Sequence, residues 1–302
     1  MTLQFLADGL IAGALIGLGA IGVTLTYSIL RFANFAHGEF VSFGAYATLL
    51  LAAVIGSVFA GADQSIGPFS FGWAVIAATL AAMALTGGMA LALDKALFAR
   101  LRDKGAAITI VMASFGASMA LRSLLEFAFS SRPAYFSRDL QIAMPTGLGI
   151  RVTPDQIALI GVTAVLMIGV HLLLTRTQIG RAMRAVSENP ALARVAGVDV
   201  AAVIRAAWLI GGALACVAGV MLGLLVQIRP YMGFDLLLPM FAAAILGGIG
   251  SVPGALAGAL IVGVSEAAAV QMIGAEWRAA VAFLLLIGVL LIKPTGLFGR
   301  SD

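Results

Sequence analysis

The chain has 302 residues, 62% of them hydrophobic and 11% charged, with 18 Lys+Arg against 14 Asp+Glu. A soluble domain runs at about 45–50% apolar and about 25% charged, and a single core stops growing near 250–300 residues, so a soluble enzyme, a disordered chain and a disulfide-built secreted domain are set aside at once. One cysteine, Cys216, and two histidines, His37 and His171, leave neither a disulfide framework nor metal-ligand spacing, and the solvent that suits this composition is a lipid bilayer.

The first apolar run covers 5–30, with Asp8 near its start. It is too long for the core of a cleaved signal, and no Lys or Arg precedes Arg31, so the mature protein is expected to keep it. A polar break follows, in which Asn34, His37 and Glu39 stand beside Gly38 and Gly44. Ionisable groups within a membrane are functional candidates by default. At a span end, however, a wet loop or a helix cap accounts for His37 and Glu39 at lower cost than substrate contact does. The next runs are 41–60 and 72–93, joined by 61–71, which has no basic residue. Segment 94–106 then carries Lys95, Arg100, Arg102 and Lys104. In the run 107–129, Arg122 and Glu126 lie four apart on one helix face and are expected to form a structural charge pair.

Segment 130–153, with Arg132, Arg138 and Arg151, leads to the run 154–174. The stretch that follows is the most informative. Residues 178–187 read as a short helix ended by Asn189-Pro190, and a second starts near Pro190 and stops at Gly197. Arg181, Arg184 and Arg194 alternate with apolar patches formed by Met183 and Val186, then Leu192, Val195 and Ala196. A plain connection needs only about 2–8 residues. This one has the form of a docking surface or of a helix lying on the lipid headgroups, and pattern alone does not separate the two.

The last runs are 201–228, 239–249, 254–271 and 278–292, with Glu266 inside the third of these. Between 239–249 and 254–271 lies Gly247-Gly248-Ile249-Gly250-Ser251-Val252-Pro253-Gly254, which a helix should not cross unbroken. It is not a nucleotide fingerprint, because no strand precedes it. A packing turn in a broken helix is the preferred reading, and broken helices in transporters often line the path.

These runs predict an all-α polytopic membrane protein of eight or nine transmembrane helices, including a broken or short helix near 239–254, in a single transmembrane domain over 1–302. Lys and Arg collect in cytoplasmic loops, so 94–106 and 175–205 are expected inside and 61–71 outside. Nine crossings would also put Lys293 and Arg300 inside. No phosphate loop accompanies the spans, so uphill movement of a solute would draw on an ion gradient or on another subunit.

Taken together, Asn34-Phe35-Ala36-His37-Gly38-Glu39-Phe40, Gly180-Arg181-Ala182-Met183-Arg184-Ala185, Ala193-Arg194-Val195-Ala196-Gly197-Val198 and Leu246-Gly247-Gly248-Ile249-Gly250-Ser251-Val252-Pro253-Gly254-Ala255 carry a resemblance. In order and spacing the chain resembles the LivH-type permeases of branched-chain amino acid ABC importers, from about residue 5 to 297. The resemblance implies a multi-pass subunit of the plasma (bacterial inner) membrane, with no catalytic residues, no metal and no cofactor of its own. ATP would be hydrolysed on partner subunits. The implied partners are a LivM-type second permease, two cytoplasmic ATPases and a periplasmic solute-binding protein, with membrane lipid around the chain and no nucleic acid. The implied ATPase-coupling loop comprises Gly180, Arg181, Met183, Arg184, Ala185, Glu188, Asn189, Pro190, Arg194 and Gly197. Asn34, His37, Glu39, Gly247, Gly248 and Gly250 would lie beside the substrate path. The family also includes permeases for urea and short amides, which keeps those solutes open.

The competing reading is a secondary transporter or channel acting alone, with 239–254 and 31–44 as its paired broken segments. The lack of an intramembrane ion site and the structured basic loop weigh against it. A membrane-embedded enzyme would need a catalytic constellation that the sequence does not present.

Overall fold

A computed structural model describes residues 3–102, 107–137, 141–145, 149–293 and 295–299. Lys104, Arg138 and Arg300, which entered the charge argument, lie outside the described residues. Among the described residues, eight helices are long and apolar enough to cross a membrane. In chain order the elements are α1 (Gln4–Leu30), α2 (His37–Val58), α3 (Trp73–Leu93), α4 (Ala99–Arg102), α5 (Ala107–Phe129), α6 (Pro154–Arg176), α7 (Gln178–Glu188), α8 (Pro190–Val195), α9 (Val200–Leu225), α10 (Met232–Gly247), α11 (Val252–Ile273) and α12 (Arg278–Ile292). A π-helical turn over Asp94–Phe98 joins α3 to α4 without a break. Much of the predicted loop 94–106 is therefore helix, with Asp94 paired to Arg102 at 2.5 Å.

α1 is the most enclosed span. Its Gly9, Gly13 and Gly17, spaced by four, form one smooth stripe. A Cβ added at Gly9 would come within 2.6 Å of the Val264 Cα, and one at Gly13 within 2.8 Å of the Leu260 Cα. With no hydrophobic drive between helices in lipid, such close backbone approach is what holds α1 against α11. α12, by contrast, buries almost nothing, and Phe283, Leu284, Ile287 and Leu291 stand exposed as a lipid-facing helix requires.

Two ends of the bundle can be told apart by their contacts. At one, Arg31 donates to the carbonyls of Ser187 and Glu188, Phe98 stacks on Trp208, and Leu297 N–H reaches the Leu246 carbonyl at 2.8 Å. At the other, Asp155 accepts from the Ser70 N–H and hydroxyl and from Gln141 Nε2, Gln4 bonds Arg151, and Ala134 pairs with Ile228. A two-stranded hairpin, β1 (Met144–Pro145) with β2 (Arg151–Val152), also lies here; the sequence reading did not foresee it. The capping box of Thr153 and Gln156, followed by Pro154, starts α6 beside it. The first end carries Arg100, Arg102, Arg181, Arg184 and Arg194, so the positive-inside rule makes it cytoplasmic and the second end outer.

Two spans depart from the predicted boundaries. α2 starts at His37, four residues before the apolar run, and not at the membrane edge. Phe35 N–H donates to Ser114 Oγ, seven residues into α5, and His37 packs on Gly22, eight residues before the end of α1. At 1.5 Å per residue, residues 31–36 climb about 10–12 Å into the bundle before α2 begins. Two N–H groups of this climb find side-chain acceptors, Phe35 in Ser114 and Ala36 in Asn34 Oδ1 at 3.1 Å. Such satisfaction is what permits non-helical backbone at depth.

α10 starts at Met232, seven residues before the predicted run, and continues through Pro239. Proline removes the bond that the Asp235 carbonyl would accept, and Asp235 is exposed. With 16 residues α10 is too short to span alone. Residues 226–231 lead down to it from the outer end, so α10 with this segment joins the outer end of α9 to the inner end of α11. The paired breaks are thus 31–36 and 226–231. The stretch 247–254 is a turn at the inner end.

The sidedness has a direct check. With Cys216 replaced, an impermeant maleimide applied to intact cells should label Gln64→Cys and leave Ser187→Cys unlabelled. Labelling of Ser187→Cys alone would invert the map.

Candidate functional site

The first turns of α2 and α10 meet inside the bundle. Gly38 and Gly233 cross backbone to backbone, since a Cβ on Gly38 would come within 2.7 Å of the Gly233 carbonyl oxygen. Ser42 ties the crossing by donating to the Pro230 carbonyl at 2.9 Å and accepting from Gly233 N–H at 3.0 Å. Beside it, Glu39 is fully buried. Its Oε1 accepts from Ser118 at 2.9 Å and from Arg122 Nε and Nη2 at 3.2 and 2.7 Å. The guanidinium lies 4.1 Å from the Phe234 ring centroid and 4.8 Å from that of Tyr231. One arginine of α5 therefore joins α2 to the start of α10.

This corrects the expected pair. Arg122 binds Glu39, and Glu126 is not its partner; Glu126 accepts from Ser131 at 3.4 Å at the end of its helix. Four-residue spacing made the two neighbours possible, but a fully buried carboxylate on another helix offers a lone cation more than a half-buried one near the end of its own helix.

The proposed pathway residues fall into two separate groups. Asn34, His37 and Glu39 are buried at the α2 start, committed respectively to a turn, to packing on α1 and to the ion pair. The span end expected for them is instead buried interior. Gly247, Gly248 and Gly250 lie at the inner end. Gly247 abuts Gly254 of α11, Gly248 abuts Gly299, and Gly248 and Gly250 have φ of 96° and 91°. Close packing and left-handed backbone account for these glycines.

The 177–199 stretch forms the two helices expected. Thr177 caps α7 by accepting from Gly180 N–H, and Asn189 caps α8 by accepting from Ala191 and Leu192 N–H. Gly180 is required at the corner, where any Cβ would strike the α6 backbone at Leu173 and Leu174. α7 buries Met183 and Val186 against the bundle, half-buries Ala185 and exposes Arg181, Arg184 and Glu188. The two apolar patches thus separate. One is packing, while Leu192 and Val195, 66% and 86% exposed, lie open beside the exposed Arg194. Gly197, at φ 84°, ends the motif.

A cleft of about 600 Å³ opens between α1, α10 and α12 near the outer end. Glu266 of α11, 1% exposed, reaches it and accepts from Arg278 Nε at 2.8 Å. Asp8, Arg229, Asp235 and Glu276 also line it. Sequence reading singled out Asp8 and Glu266 as charges near or within spans but missed their neighbours. The available signal was an acid deep in one span followed, 12 residues later, by an arginine at the start of the next.

Comparison with known proteins decides the family. A family profile described as the permease component of the branched-chain amino acid transport system matches residues 5–290. The chain belongs to this family. It is 33% identical to the high-affinity branched-chain amino acid transport system permease protein LivH of Salmonella typhimurium, over 99% of this chain and 96% of the relative. It is equally identical, with the same shares covered, to the corresponding Pseudomonas aeruginosa permease protein BraD. A probable branched-chain amino acid transport permease protein LivH of Methanocaldococcus jannaschii matches at 27%, over 98% and 92% of the two chains. A solved structure, PsaBC from Streptococcus pneumoniae in complex with Fab, aligns over 97% of this chain and 93% of that one at 15% identity, with a TM-score of 0.49. The permease is a multi-pass membrane protein of the plasma membrane, a transport subunit and not an enzyme.

Proposed function

We propose that this permease passes branched-chain amino acids, delivered by a periplasmic binding protein, into the cytoplasm as one half of an importer's membrane channel. A LivM-type permease forms the other half, and ATP hydrolysed on two cytoplasmic ATPases drives the cycle; the chain itself needs no cofactor. The observation that carries this reading is the inner-end surface of α7 and α8. Its outward face pairs exposed Leu192 and Val195 with Arg181, Arg184 and Arg194, and Arg31 ties it to the end of the central helix α1. A charged rim around an apolar centre is the anatomy of a protein–protein interface. The α1 tie gives a rigid route from such a partner into the bundle.

The test is Val195→Trp. A bulky ring on the docking patch is expected to abolish co-purification of the ATPases and to cut uptake about tenfold or more at unchanged membrane level, whereas a helix lying on lipid headgroups accepts tryptophan readily. Retained co-purification with full uptake would overturn the assignment. Uphill leucine uptake by the chain alone in liposomes under a proton or sodium gradient would overturn the importer reading altogether.

A further inference from the structure

The geometry points to a binding site for a zwitterionic aliphatic amino acid in the outer cleft, with Glu266 and Arg278 as its two charged contacts. The choice of amino acid rests on the importer reading above; the site rests on the cleft itself. Its volume, about 600 Å³, falls in the range of small-molecule sites. Glu266 lies seven residues before the outer end of α11, about 10 Å deep at 1.5 Å per residue.

Glu266 Oε2 holds Arg278 Nε, while its buried Oε1 has no hydrogen-bond partner. An unpaired carboxylate oxygen in a buried wall is costly unless a donor or cation reaches it. Arg278 uses Nε on Glu266, and its side chain is 52% exposed, so its two terminal nitrogens remain for an anion. A group that fills both vacancies carries an ammonium and a carboxylate a few ångströms apart, as an α-amino acid does.

The remaining wall fits the rest of such a molecule. Ile11 and Leu15 of α1 and Met232 and Leu236 of α10 give it an apolar side that would receive an aliphatic side chain. Arg229 and Asp235 neutralise each other at 3.0 Å across the mouth, and Asp8 accepts from Gln4 at 2.9 Å. With Glu276 also present, the cleft is acidic overall, which favours entry of the ammonium end.

The experiment measures equilibrium binding of radiolabelled L-leucine to the purified permease assembly in lipid nanodiscs, without the binding protein. Unlabelled leucine and valine are expected to displace the label. Isopentylamine, which lacks the carboxylate, and 4-methylpentanoate, which lacks the ammonium, should fail at tenfold higher concentration. Glu266→Gln should raise Kd about tenfold or more, the scale of one hydrogen bond to a charged group. Leu238→Trp, on the half-buried cleft wall, should weaken binding with the ion pair intact, so a Glu266 variant that does not fold leaves the test standing. Absence of leucine binding, unchanged Kd in Leu238→Trp, or displacement by isopentylamine as effective as by leucine would overturn the site. Leucine uptake by the full importer without binding to the permease would sink this inference alone. Failure of that uptake would instead sink the importer reading.

Discussion

Replacing Arg122 with methionine is expected to destabilise the permease severely, with membrane yield and detergent melting temperature both falling. Arg122 is the cation paired with Glu39, a carboxylate with no exposed surface. Removing the partner of a buried charge costs about 3–5 kcal/mol, because the orphan stays desolvated without its Coulombic return. The guanidinium also covers the Phe234 and Tyr231 rings, a contact worth up to about 2 kcal/mol when desolvated. Removing both charges, with Arg122→Met and Glu39→Leu together, should recover much of the loss, since an apolar replacement of a buried pair is often near neutral. Glu126→Ala should cost far less, about 1 kcal/mol or below, since the half-buried Glu126 accepts a long bond from Ser131 at 3.4 Å near the end of its helix. Thermal melts of the four proteins in a double-mutant cycle check this. Equal losses in Arg122→Met and in the double variant would show that the pair is uncoupled.

Gly233→Ala is expected to be strongly damaging for a single added methyl. The new Cβ would drive into the Gly38 carbonyl and lie 2.9 Å from Ser42 Oγ. Overpacking typically costs about 1–3 kcal/mol when side chains can shift. Here the obstacle is backbone of the facing helix, so α2 and α10 must separate, and with them the ends joined through Glu39 and Arg122. Uptake should fall at least about tenfold, with a lowered melting temperature. Gly116→Ala is the control. Gly116 lies in α5 with nothing within 4 Å of a built Cβ, so alanine there should be neutral or stabilise by up to about 1 kcal/mol. Similar effects from the two substitutions would mean that the crossing is not tight.

The two changes divide what the chain shows locally from what only assembly decides. Apolar runs long enough for a bilayer marked the long spans because burial in lipid is a property of each segment's own composition. Asn189-Pro190 separated α7 from α8 because a cap side chain and a missing N–H act within a few residues. The basic segments marked the inner end because topology follows charge along the chain. Partnerships across the fold were not legible in this way. Arg122 sits four residues from one acid and 83 from another, and it pairs with the distant one, Glu39. The starts of α2 and α10 lie at depth because Ser114, Asn34 and the Gly38–Gly233 crossing satisfy and accommodate backbone there, which hydropathy does not register. Glu266 and Arg278 share a cleft because α11 packs along α1 and α12 folds back onto α10 and α11. Hydropathy, caps and charge counts act over a turn or a span, whereas a buried ion pair, a backbone crossing or a cleft is decided by which helices the whole bundle brings together.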